Sequence, residues 1–142
     1  MGEEDIIKQM MQQAIGITDE DFKKHISYPQ NLGLARRAPE LMKYKIIAEV
    51  TESKYCSAGL KVGQKFTFRS LPAMLLPDES DCPLCVRAIG PIASLITGFW
   101  DRIVTGVDPN KGMWHLAECM DAGVDRGGLG HVVFKVYAHK TA

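Results

Sequence analysis

The hydrophobic period of the chain changes three times, and this restricts the folds open to it. In "YKIIAEV", Tyr44, Ile46, Ala48 and Val50 fall on one face, and Phe66 and Phe68 do the same in "KFTFRS". That two-residue repeat belongs to half-buried strands, with "KVGQ" as the turn between them. Leu84, Ala88, Ile89, Ile92, Leu95, Ile96, Phe99, Trp100 and Ile103 then recur at three- and four-residue steps, the repeat of a helix with one apolar face. "MWHLAEC" and "HVVFKVYA" return to alternation, separated by the glycine-rich "DAGVDRGGLG". Strands, then a helix, then strands predict an α+β domain over residues 43–142, a small antiparallel or mixed sheet covered by the central helix. Pro83 suits a first helical position, with Cys82 or Asp81 as the cap, so the helix is expected to begin at the cysteine pair. Gly90-Pro91 is expected to kink or split it.

Residues 1–42 read as an N-terminal helical arm and linker. Ile6, Ile7, Met10, Met11, Ala14 and Ile15 keep helical spacing, and Gly16 is placed to end the helix. Thr18 can cap a second helix, Asp19, Glu20 and Asp21 suit its positive end, and Ile17 can pack on Phe22 across the cap. "SYPQNLGLARRAPEL" reads as linker, with one turn of helix after Pro39. Both helices are short and need something to dock on. The arm is expected to embrace a neighbouring subunit in a homo-oligomer; the alternative is that it folds back on its own sheet.

Composition narrows the partners. Seventeen basic and seventeen acidic side chains cancel, so no polyanion-binding surface is implied and nucleic acid is not an expected partner. The apolar stretch at 88–100 contains Gly and Pro and falls short of the about 20 residues that cross a bilayer, so no membrane span is expected. The start, "MGEEDIIKQ", is acidic where a secretory signal is positive, which predicts a cytoplasmic protein. In that reducing compartment four cysteines read as ligands, catalytic thiols or buried residues before they read as bridges.

The central question is "DCPLC" at 81–85. A Cys-Pro-x-Cys at a helix start resembles a glutaredoxin site, but the approach "LLPDESD" is not the apolar strand that such folds require. A metal site has better support from position. Cys56 ends a strand, Cys85 opens the helix, Cys119 ends another strand, and such ends can converge at one edge of a sheet. Strand alternation puts His115 on the face of Cys119 as a substitute ligand. The metal candidates are therefore Cys56, Cys82, Cys85, Cys119 and His115, holding zinc or an iron–sulfur cluster. The plainer alternative is four buried thiols with no ligand. "GGLG" at 127–130 leads into a strand, so a turn is expected there and not a phosphate loop. His131 and His139 alternate with Lys135 and Tyr137 onto what reads as the solvated side of the last strand.

"YKIIAEVTESKYCSAGLKVGQKFTF", "CVRAIGPIASLITGFW", "ECMDAG" and "HVVFKVY" together resemble a family of small, functionally uncharacterised prokaryotic proteins, over about residues 43–138. The resemblance implies a shared fold and a shared thiol trio at Cys56, Cys85 and Cys119, with Cys82 as an addition. It implies no activity.

Three functions are expected in order. The first is a metal or iron–sulfur protein serving as an accessory or small subunit of a redox or anaerobic metabolic system, with a larger enzyme as partner. The second is a small enzyme acting on an organic substrate between helix and sheet, with Cys85 as nucleophile or acid–base group and His115 as its partner. The third is a non-catalytic oligomeric module.

Overall fold

The structure is a computed structural model describing residues 2–141. These divide into two compact units, one through Pro39 and one from Glu40 onward.

In the first unit, α1 (Glu3–Ile15) ends at Gly16, and Thr18 caps α2 (Asp19–Ile26) by accepting the Asp21 amide at 3.1 Å. Ile7 and Phe22 are buried. The segment expected as linker is instead a helix, α3 (Asn31–Leu41), which holds Pro39 and runs two residues past the end of the first unit. Pro39 lies near the C-terminal end, where its missing N–H costs one helical hydrogen bond at Ala35. The Asn31 side-chain Nδ2 donates to the His25 carbonyl at 2.8 Å and closes the turn, and Arg36 pairs with Glu3 of α1. Tertiary partners outweigh the prolines and glycine that mark a linker in the sequence.

The second unit is an α+β fold. Strands β1 (Tyr44–Lys54), β2 (Lys65–Arg69), β3 (Met74–Leu75), β4 (Leu116–Glu118) and β5 (His131–Lys140) form a sheet of order β3-β2-β1-β5-β4, antiparallel at every pairing. The expected alternation holds in β5 and in β1 as far as Val50, while in β2 Thr67 is buried along with its neighbours. Ile46, Ala48 and Val50, Phe66 and Phe68, and Val132, Phe134, Val136 and Ala138 are buried in one core cluster. Helix α4 (Val86–Val104) supplies Ala88, Ile92, Ile96, Phe99 and Ile103 to the same cluster at steps of three and four.

Two expectations about α4 are corrected. It begins at Val86, with Cys85 as the N-cap in an extended conformation, so Pro83 precedes the helix and does not open it. It also runs unbroken through Pro91. Pro91 cannot donate to the Arg87 carbonyl four residues back, and that carbonyl accepts the Met120 amide at 3.2 Å instead. The lost helical bond thus becomes a tie between the helix start and the segment after β4.

The register of β1 against β5 shifts between Val50 and Glu52. The bulge changes the parity of β1. Glu52, opposite Val133, and Lys54, opposite His131, therefore share the outer face of the sheet with the odd-numbered residues of β5. Among the described residues no helix is long and apolar enough to cross a membrane.

Candidate functional site: a pocket shared by three cysteines

Four chain segments meet at one end of the sheet. After β1 the chain turns at Tyr55, a non-glycine residue with φ +51°, and delivers Cys56 over the start of β5. That approach requires glycine beneath it. A Cβ at Gly130 would stand 2.4 Å from the Tyr55 carbonyl oxygen and 3.1 Å from the Cys56 Cα, against backbone that cannot rotate away.

Cys85 arrives at the N-cap of α4. Its carbonyl accepts the Ala88 and Ile89 amides at 3.1 and 3.0 Å, while its side chain makes no capping bond. Cys119 follows β4. Its amide donates to the Val132 carbonyl at 3.0 Å, and the Val132 amide donates back to the Cys119 sulfur at 3.3 Å, so sulfur stands where the ladder would place a carbonyl oxygen. Cys56, Cys85 and Cys119 line one cavity of about 40 Å³ with Arg87 and Asp121. All four cysteines are unpaired thiols.

The size of the cavity limits its contents. It matches about one water or ion, well under the roughly 300 Å³ at which small-molecule pockets begin. Among the described residues no three His, Cys, Asp or Glu groups are gathered closely enough to hold a metal ion. The three cysteines line one cavity without forming a finished coordination sphere.

The other two sequence candidates lie elsewhere. Cys82 is 8% exposed within the hydrophobic core, where burial, with the Asp81 charge adding, pushes its thiol up to about 12. His115 is exposed ahead of β4, its Nδ1 2.9 Å from the Met113 carbonyl, and does not line this cavity. The "DCPLC" pair is therefore divided, one thiol facing the core and the other the pocket.

Asp121, absent from the sequence candidates, organises the glycine-rich loop. Its carboxylate accepts the amides of Gly123, Leu129 and Gly130 at 3.0, 2.9 and 3.0 Å. A Cβ at Gly128 would fall 2.2 Å from the Asp121 Oδ1. The amide bonds, Gly123 first, and the charge of Arg87 hold the carboxyl below the ordinary aspartate range against an opposing effect of burial. A depressed carboxyl contributes stability that is present above its unfolded value of about 3.9 and is lost as pH falls through the folded value. The stability advantage of the wild type over Asp121→Asn is thus expected to be present at neutral pH and to shrink in acid below about pH 4. Denaturant titrations across pH measure it; a difference independent of pH contradicts it. The only sequence hint to this role is an aspartate preceding a cluster of glycines.

No protein-family model, curated protein or solved structure matches the chain.

Proposed function

We propose that Cys56, Cys85 and Cys119 form a thiolate centre for one soft metal ion, zinc foremost, and that the chain works as a small metal-carrying accessory protein. The observation behind this reading is that three cysteines, separated by 28 and 33 intervening residues, line one ion-sized cavity. The amide of Val132 directed at the Cys119 sulfur is the kind of outer-shell bond that steadies a ligating thiolate. Arg87 adds a positive charge to the same wall. The sulfurs must draw inward around the ion. With Cys82 in the core and His115 outside, the fourth position falls to water or a partner's group, the open arrangement of catalytic or transfer sites. The small volume disfavours a multi-iron cluster and an organic substrate alike.

Cobalt(II) tests this reading through its thiolate charge-transfer absorption. Cys56→Ser, Cys85→Ser and Cys119→Ser should each weaken binding beyond the roughly 10–100-fold cost of losing an outer-shell partner. Cys82→Ser should leave the spectrum unchanged. Equal effects at all four positions, or none at the trio, would overturn the assignment.

A further inference from the structure

A second cavity, of about 590 Å³, opens beside the thiol pocket and shares Cys119 and Asp121 with it. This volume is in the range of small-molecule sites. Its wall includes Glu52, Lys54, Glu118, Asp125, Arg126 and His131.

The strand register explains why two of the carboxylates stand together. Glu52 on β1 and Glu118 on β4 are both opposite Val133 of β5, so they form one row across three strands. Two strand spacings separate their backbones, roughly 10 Å. His131, in the adjacent row opposite Lys54, has a defined tautomer when neutral. Its Nδ1 lies 2.8 Å from the Asp121 carbonyl, which can only accept, so Nδ1 carries the proton and Nε2 presents a lone pair. That Nε2 lies 3.7 Å from the Glu118 Oε1. With the ring neutral, two acceptors face each other beyond direct hydrogen-bond reach.

What such a pair lacks is a donor with several hydrogens. Glu52 and Asp125 have no ion-pair partner among the described residues, which leaves further acceptors on the same wall. Of the cations there, the Lys54 ammonium sits 5.3 Å from the centre of the Tyr55 ring, and neither it nor Arg126 forms an ion pair with these carboxylates among the described residues. We propose that this cavity binds a small molecule through a primary ammonium group, bridged between His131 Nε2 and the Glu118 carboxylate and completed by Glu52 or Asp125. An ammonium has three donors and the charge that the adjacent carboxylates require.

The probe is 1,4-diaminobutane, with succinate as the control of equal chain length and opposite charge, followed by NMR of the full chain. The diamine should shift the His131 imidazole and the Glu118 side chain in a saturable manner. Glu118→Gln, an exposed substitution, should weaken this about tenfold or more, and Glu52→Gln should weaken it to a lesser degree. Succinate should leave His131 unmoved. Binding unchanged in Glu118→Gln, shifts spread over the surface that vanish with added salt, or an equal response to succinate would overturn the proposal.

Discussion

Phe134→Ala is expected to remove about 3–5 kcal/mol of folding stability, the largest loss anticipated for any single side chain in the sheet. Phe134 lies within β5, opposite Val50 on one side and Ala117 on the other, so its ring fills the junction of three strands. It is 0% exposed, and its ring centroid is 5.9 Å from that of Phe66. Truncation leaves a cavity between sheet and α4 that the paired backbone cannot close. Against a typical total of about 5–15 kcal/mol, the variant should unfold roughly 10–20 °C lower. Urea unfolding monitored by the two tryptophans measures the difference. A loss under about 1 kcal/mol would mean that the sheet and helix do not pack as described.

Gly130→Ala is the second large effect, and it reaches the site directly. The added methyl would overlap the Tyr55 carbonyl and crowd the Cys56 Cα, with contacts of 2.4 and 3.1 Å. The cost of forcing such overlap is about 1–3 kcal/mol, and relief requires the Cys56 loop to lift from β5. The variant should therefore lose stability and cobalt affinity together. Gly33→Ala is the matched control, because nothing lies within 4 Å of a Cβ at that helical position. There the substitution should be neutral or raise stability by up to about 1 kcal/mol. Equal melting temperatures for the wild type and Gly130→Ala would contradict the close approach.

These two positions also show what the sequence makes legible. The side of β5 that carries Phe134 follows from alternation, and the buried face of α4 follows from its helical spacing, because burial leaves a periodic trace. The requirement at Gly130 leaves none, since it is set by a loop 75 residues earlier in the chain. Asp121 is hidden for a related reason: its partners are backbone amides, which every residue but proline possesses. Helix α3 is obscured by Pro39 and Gly33, whose local preferences yield to the contacts of Arg36 and Asn31. The bulge after Val50 reverses which residues of β1 face outward, and simple alternation cannot register it. Three of the cysteines could be matched to element ends by inspection. The division of Cys82 from Cys85 depends on where α4 starts, three residues later than Pro83 indicates.

The metal and acid-labile sulfide content of the intact chain, purified without oxygen, tests the central claim most directly. The thiolate centre should hold about one equivalent of a soft metal per chain with no sulfide, and Cys85→Ser should lose that metal while remaining folded. Neither metal nor sulfide in the wild type, together with Cys56, Cys85 and Cys119 all open to alkylation and no uptake of added zinc, would contradict it.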